Sequence, residues 1–173
     1  MSKTEANLQA AFAGESQARN KYTFWAKVAR KEGYHYIAKI FEETAMNEMR
    51  HANDEFKLLG GIGNTLENLK AAYEGENYEV TEMYPTFAKE AEEEGNSEAA
   101  RLFAQIAKVE EHHRDRYERL MKMVEKGTVF KREQPIKWKC GVCGYIVEGT
   151  EPPVKCPCCQ HPREYYEPAN LNI

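Results

Sequence analysis

The sequence lacks the features that would place it in a membrane, outside the cell or on nucleic acid. No apolar run in its 173 residues approaches the ~18 residues needed to cross a bilayer. Residues 1–5 begin a segment without the apolar core that a signal peptide requires. The formal net charge of −4 is small and mixed in sign, which argues against nucleic acid as a partner. We therefore expect a cytoplasmic protein with no membrane or nucleic-acid partner.

Cysteine is absent from most of the chain, and proline is nearly so. All five cysteines lie between residues 140 and 159, and six of the seven prolines follow residue 127. Disulfides of a secreted scaffold would not cluster in this way, so the cysteines are more typical of a metal site. The change in composition predicts a helical domain at residues 1–127, a linker at 128–136 and a small domain at 137–173.

The N-terminal part of the chain contains an internal repeat. Residues 8–15, LQAAFAGE, match residues 69–76, LKAAYEGE, at an offset of 61 positions. A Glu-x-x-His motif ending at His51 matches one ending at His113, but there the offset is 62. The second copy therefore carries one extra residue within a predicted helix. Such a residue is commonly absorbed as a π-bulge, and we predict one between residues 77 and 85.

Both copies of the repeat are predicted to be helical. Apolar residues recur every three or four positions, which is the period of an amphipathic helix. Glycines stand where these patterns stop, and Asn64 and Ser97 are plausible helix starts. Together these signals predict four helices at roughly residues 4–32, 34–59, 65–94 and 97–126.

Several polar residues lie within the apolar faces of these predicted helices. They are Glu15, Glu48, His51, Glu76, Glu79, Glu110 and His113. An unpaired carboxylate costs several kcal/mol when it is buried. Carboxylates that share one core with two histidines therefore require a compensating cation.

The spacing of these residues is that of a carboxylate-bridged diiron centre. Glu and His three positions apart project from the same side of a helix. One Glu from each of two helices, plus Glu-x-x-His from each of the other two, is the ligand pattern of ferritin-like bundles. Oxygen and imidazole ligands suit iron or manganese. A single such motif is usually a solvated face, but here it occurs twice in register with the repeat. We expect Glu48 and Glu110 to bridge the two ions, and the other five residues to be terminal ligands.

Two tyrosines also correspond across the repeat. Tyr22 and Tyr84 lie about two helical turns beyond Glu15 and Glu76, at an offset of 62. Their hydroxyls could hydrogen-bond the ligand carboxylates or meet a bound oxidant. The alternative is that each is an ordinary core tyrosine whose hydroxyl needs one partner.

The small domain contains two Cys-x-x-Cys motifs with twelve residues between them. Their cysteines are Cys140, Cys143, Cys156 and Cys159. Four thiolates suit either a structural zinc or a redox iron. Flanking aromatic residues and the fusion to a redox-type bundle, which needs an electron donor, favour iron, with zinc as a replacement. Cys158 is a fifth thiol without an obvious partner.

These segments resemble the rubrerythrin family. The resemblance rests on AFAGESQARN at residues 11–20, TEMYP at 81–85, the paired Glu-x-x-His motifs and CGVCGY at 140–145, and it runs from about residue 5 to 168. It implies a ferritin-like four-helix bundle followed by a rubredoxin-like domain. It also implies that Glu79 and His51 exchange as ligands of one iron when the redox state changes. Cys158 departs from the family, in which this position is usually not cysteine.

The resemblance implies a peroxidase for oxidative stress defence that reduces hydrogen peroxide to water. Electrons would enter through the four-cysteine iron from a partner such as a rubredoxin or an NAD(P)H-dependent reductase. The alternative is a ferritin-like ferroxidase that handles iron, although ferroxidation needs no external electron donor. A third possibility is a zinc-ribbon interaction protein without redox chemistry.

The link between the second and third predicted helices is short for a ferritin-like arrangement. If these helices run parallel, the ends to be joined lie roughly 30 Å apart at 1.5 Å per residue. Residues 60–64 supply about six steps of at most ~3.6 Å, or roughly 20 Å. We therefore predict a homodimer with exchanged helical hairpins, or a tetramer built from it. Each site would combine Glu15, Glu48 and His51 of one chain with Glu76, Glu79, Glu110 and His113 of the other.

Overall fold

The structure is a computed structural model, and it describes residues 1–169. Its helices are α1 (Lys3–Lys31), α2 (His35–Leu58), α3 (Thr65–Tyr78), α4 (Tyr84–Glu93) and α5 (Ser97–Glu125). Its strands are β1 (Ile136–Cys140), β2 (Ile146–Gly149) and β3 (Tyr166–Pro168). By packing, the chain divides into two compact units, residues 1–64 and residues from 65 onward.

The first unit is a hairpin of α1 and α2. The backbone N–H of Glu5 donates to the Ser2 hydroxyl, and the Ser2 N–H donates back to the Glu5 carboxylate, which starts α1 with a capping box. Gly33 ends the helix with a φ of +88°, a conformation that glycine adopts without strain. The buried side chains of this unit are Ala26, Ala29, Ala38, Ala45 and Ala52. Small side chains allow the helices to approach closely, while larger apolar residues such as Trp25 and Ile37 remain about half exposed.

The second unit begins with α3 and α4, which both pack against α5. A π-helical turn, Glu79–Met83, joins α3 to α4, and the backbone N–H of Tyr84 donates to the carbonyl of Glu79, five residues earlier. The predicted π-type distortion is thereby confirmed. The extra residue of the second repeat is absorbed beside Pro85, whose missing N–H removes one α-helical hydrogen bond.

The helix limits agree with the predicted limits to within two residues. One detail differs at the start of α5, where the side chain of Asn96 accepts a hydrogen bond from the Ala99 N–H. Asn96 is therefore the capping residue, and Ser97 is the first residue of the helix. Among the described helices, none combines the length and apolar character that crossing a bilayer demands.

The C-terminal part of the second unit is a small antiparallel sheet with strand order β2-β1-β3. Its core consists of Trp138, Cys140, Cys156 and Tyr166. The indole N–H of Trp138 donates to the carbonyl of Gly149 at 3.0 Å, which fixes the largest buried ring against β2. The predicted fold class, a mainly α four-helix region followed by a small domain with clustered cysteines, is confirmed.

Candidate metal centres

Within the first unit, α1 and α2 bring together three of the predicted ligands. The ligand atoms of Glu15, Glu48 and His51 all lie within 4.8 Å of one another. Nδ1 of His51 is 2.9 Å from a carboxylate oxygen of Glu48 and 3.6 Å from one of Glu15. Glu48 and His51 share one face of α2 because they are three residues apart. Residue spacing and hairpin packing together form this cluster, the first trio.

Within the second unit, α3 and α5 build a cluster of the same kind, the second trio. The ligand atoms of Glu76, Glu110 and His113 also lie within 4.8 Å of one another. Nδ1 of His113 is 2.6 Å from a carboxylate oxygen of Glu110 and 3.6 Å from one of Glu76. The repeat in the sequence is therefore a repeat of the site geometry.

One carboxyl group in each trio, that of Glu15 in the first and that of Glu76 in the second, has a raised pKa. A hydrogen bond with Glu48, followed by burial and the Glu48 charge, raises the pKa of Glu15. Burial, followed by a hydrogen bond with Glu110 and its charge, raises the pKa of Glu76. A nearby negative charge raises the pKa of a carboxyl group because the like charges repel when it ionises. A divalent cation would relieve this repulsion, and two oxygens plus one imidazole suit iron or manganese.

The trios are less enclosed than the sequence suggested. The side chains of Glu48 and Glu110 are 16% and 15% exposed, but that of His51 is 56% exposed. No described polar side chain is fully buried. The expectation that these ligands lie in a closed core is thus not met within either unit, because a hairpin covers its own inner face from one side only.

Glu79 lies beside the second trio without joining it. It begins the π-helical turn, and it is not one of the three residues whose ligand atoms cluster within 4.8 Å. Burial, followed by the negative charge of Glu110, raises the pKa of Glu79, so the two carboxylates face a common region. The π turn therefore carries an additional carboxylate to the edge of the second trio.

The two predicted tyrosines have different surroundings. Burial, followed by the charges of Glu79, Glu110 and Glu76, raises the pKa of Tyr84, so its phenol faces the carboxylates. Its ring also lies 6.2 Å from that of Phe103, centroid to centroid. The ring of Tyr22 has two aromatic neighbours, with centroid distances of 5.5 Å to Trp25 and 6.0 Å to Phe41.

One further carboxylate was missed by the sequence reasoning. Glu55 lies one turn beyond His51 on α2, and one of its carboxylate oxygens is buried without a hydrogen-bond partner. Its charge contributes to the raised pKa of Glu15. The equivalent position in the second repeat is Tyr117, so Glu55 has no counterpart there. The signal in the sequence was a carboxylate one helical turn from the candidate ligand His51.

The four predicted cysteine ligands meet in the small domain. All four Sγ atoms lie within 4.8 Å of one another, with Cys140 and Cys159 3.7 Å apart and Cys143 and Cys156 3.6 Å apart. A metal–sulfur bond of about 2.3 Å in tetrahedral geometry places the sulfurs about 3.8 Å apart. The sulfur positions therefore fit a tetrahedral zinc or iron.

Two equivalent backbone turns position these cysteines. In the first, the N–H of Gly144 donates to the carbonyl of Cys140 at 2.8 Å; in the second, the N–H of Gln160 donates to that of Cys156 at 2.9 Å. Gly144 and Gln160 both have positive φ values, +77° and +61°. The Cys158 thiol is exposed and outside the four-sulfur cluster.

Comparisons with known proteins agree with these features. The model of the rubrerythrin family matches residues 6–121, and that of its rubredoxin-like domain matches residues 138–167. A rubrerythrin of Porphyromonas gingivalis is 50% identical over 99% of this chain and 92% of the relative. A putative rubrerythrin of Methanocaldococcus jannaschii is 47% identical over 96% of this chain and 93% of the relative. The solved structure of fully reduced nigerythrin is 34% identical in sequence, with a TM-score of 0.38. The match covers 97% of this chain and 87% of the nigerythrin chain.

Proposed function

The chain belongs to the rubrerythrin family, and from this premise we propose that it is a peroxidase that reduces hydrogen peroxide to water. The observation that carries the proposal is the pair of repeat-related trios in a chain that also has a complete four-cysteine site. A redox reaction at the trios needs a source of electrons, and the four-cysteine site is suited to relay them. When iron is bound, the trios would supply the two electrons that, with two protons, convert one peroxide into two waters.

The side chains of the trios have distinct roles in this proposal. If iron is bound, Glu48 and Glu110, the least exposed members, would be the bridging ligands. Glu15, Glu76, Glu79, His51 and His113 would be the terminal ligands. Membership of the rubrerythrin family suggests that Glu79 and His51 would be alternative ligands of one iron in different redox states.

Tyr84 is the residue that we assign as a hydrogen-bond donor to oxygen in the site. Burial and the neighbouring carboxylates raise the pKa of its phenol, so the hydroxyl stays protonated and can donate to an oxygen in the site. Tyr22, packed among aromatic rings, is better placed to shield the first trio than to exchange protons.

Electron delivery is assigned to the four-cysteine site. Cys140 and Cys156 are fully buried, whereas Cys143 is exposed, so a partner can approach the site from one side. The partner that we propose is a redox protein such as a rubredoxin or an NAD(P)H-dependent reductase. The site also argues against the alternative of a ferroxidase, because oxidation of ferrous iron by oxygen needs no such donor.

A coupled assay tests the proposed reaction. The iron-loaded chain, supplied with NADH and a rubredoxin reductase system, is expected to consume one NADH per peroxide without releasing oxygen. Oxygen release would indicate disproportionation of peroxide. Accumulation of a ferric core on addition of ferrous iron, with no consumption of NADH, would indicate a ferroxidase instead.

We further propose that two chains exchange helical hairpins, so that each diiron site takes one trio from each chain. Two observations support this: residues 1–64 supply three of the seven proposed ligands and residues from 65 onward supply the other four, and the link at residues 60–64 is short for a ferritin-like arrangement within one chain. The test refolds Glu48→Ala and Glu110→Ala chains together. Exchanged heterodimers are expected to regain one intact site, since one trio from each chain is unaltered. Recovery of no site in the mixture would contradict the exchange.

A further inference from the structure

The small domain contains a buried hydroxyl that the proposed reaction does not use. Tyr166 is only 5% exposed and is the cross-strand neighbour of Cys140 in the pairing of β3 with β1. It packs in one cluster with Trp138, Cys140 and Cys156. Its hydroxyl oxygen is buried and has no hydrogen-bond partner among the described residues. Leaving a buried hydroxyl unpaired is unfavourable, so its position requires an explanation.

The candidate acceptors for this hydroxyl are the two sulfurs of its own buried cluster, those of Cys140 and Cys156. We assign the interaction to Cys156, because the Tyr166 hydroxyl is among the groups that lower the pKa of that thiol. Burial, followed by the interaction with Cys156, raises the pKa of Tyr166 well above its usual range, so the phenol remains a donor. A thiol is a weak acceptor, whereas a metal-bound thiolate accepts charge-assisted hydrogen bonds. The hydroxyl therefore gains its partner when Cys156 is a ligand.

We propose that the Tyr166 hydroxyl donates a hydrogen bond to the Cys156 sulfur and thereby raises the reduction potential of iron held by the four cysteines. Four thiolates around ferric iron carry a net charge of −1, and around ferrous iron a net charge of −2. A donor hydrogen bond stabilises the more negative state more strongly. One electron is gained in this couple, and no proton or covalent bond changes place.

This inference deepens the proposed function because it rests on iron in the four-cysteine site. It does not rest on any reaction with peroxide. The reduction potential of the ferric/ferrous couple decides how readily the site accepts an electron from a partner and passes it on. Tyr166 is thus a positioning residue that acts through Cys156.

The test is a redox titration of the iron-loaded full chain, comparing the wild type with Tyr166→Phe. The thiolate-to-iron absorption is followed against reference dyes. Phenylalanine keeps the ring and removes only the hydroxyl. The equilibrium with the dye is expected to shift roughly tenfold toward ferric iron, which is about 59 mV for a one-electron couple.

Tyr165→Phe is the matched control. The Tyr165 ring is 52% exposed and stands edge-on to His161 with centroids 5.1 Å apart. Loss of this neighbouring hydroxyl should leave the potential unchanged. Loss of the hydrogen bond should lower the reduction potential. A packing effect would have the opposite sign, because water admitted by a loosened core would raise the potential of this anionic site. An unchanged or raised potential in Tyr166→Phe would overturn the proposal.

A second measurement detects the hydrogen bond in the wild-type chain and therefore does not depend on whether a variant folds or binds iron. The wild-type chain is loaded with cadmium-113 at the four cysteines and studied by NMR. The Tyr166 hydroxyl proton is expected to be protected from exchange and to show scalar coupling to cadmium across the hydrogen bond. A hydroxyl proton that exchanges rapidly and shows no coupling would overturn the proposal.

Discussion

The four-cysteine site and the carboxylate–histidine trios differ in how much of the chain each requires. The four sulfurs come from residues 140–159 and reach tetrahedral spacing, 3.6–3.7 Å between paired sulfurs, through two short backbone turns. Each trio instead joins side chains from two helices, and its distances depend on how those helices pack. A local site of the first kind should survive changes that destroy a site of the second kind.

The difference also concerns charge. The cysteine site lies in a core with a buried tryptophan, and the backbone amides of Cys158 and Cys159 contribute to lowering the pKa of Cys156. The trios bring like charges together, and the pKa values of Glu15 and Glu76 are raised in consequence. Occupancy of the trios is therefore expected to be more sensitive to substitution and to pH.

The largest expected effect is loss of iron from the trios on removal of a bridging carboxylate. Glu110→Ala should lower the iron content from three to about one per chain, while the absorption of the thiolate-bound iron stays unchanged. Iron analysis and visible spectroscopy provide the measurement. Glu111→Ala is the control, because that neighbouring side chain is 55% exposed and pairs with Arg114. Retention of all three irons in Glu110→Ala would refute the bridging role.

The converse change tests the cysteine site. Cys140→Ser should reduce donor-driven peroxide turnover to background, because electrons can no longer enter. One pre-reduced diiron site should still react once with peroxide. Cys158→Ser, at the exposed thiol outside the cluster, should keep full turnover. Normal turnover in Cys140→Ser would show that electrons reach the trios by another route.

A smaller effect is expected at Glu79, which lies beside the second trio rather than within it. Glu79→Ala should weaken iron binding or activity by roughly 10–100-fold, the range typical of residues that support metal ligands. Glu82→Ala, an exposed residue of the same π turn, should have no effect. Equal behaviour of the two variants would remove Glu79 from the ligand set.

The smallest expected effect is on the pH dependence of stability without metal. The pKa of Glu76 is raised from 4.5 in the folded state, so its contribution to stability is present below about pH 4.5 and is lost as pH rises through the folded pKa. Calorimetry between pH 4 and 7 on chelator-treated protein should show a melting temperature that falls less in Glu76→Gln than in the wild type. A steeper fall in Glu76→Gln would contradict the sign.

The sequence was sufficient to predict the helices, the π turn and the two ligand trios because the repeat is explicit. The offset change from 61 to 62 located the π turn, and the paired motifs located four candidate ligands on two helices. The domain boundaries at 127 and 137 remain predictions. The helical period does not show how deeply a side chain is covered, so the exposure of His51 was not foreseen. The cysteine motifs do not show which of the adjacent residues Tyr165 and Tyr166 is buried, so the burial of Tyr166 could not be predicted.

The central claim, that the trios hold a diiron centre that reacts with peroxide, is tested most directly by stopped-flow mixing of the fully reduced protein. The rise of ferric absorption is followed after mixing with hydrogen peroxide and, separately, with oxygen. We predict that oxidation by peroxide is much faster than oxidation by oxygen and that Glu110→Ala abolishes the fast phase. Faster oxidation by oxygen would contradict the account and favour a ferroxidase.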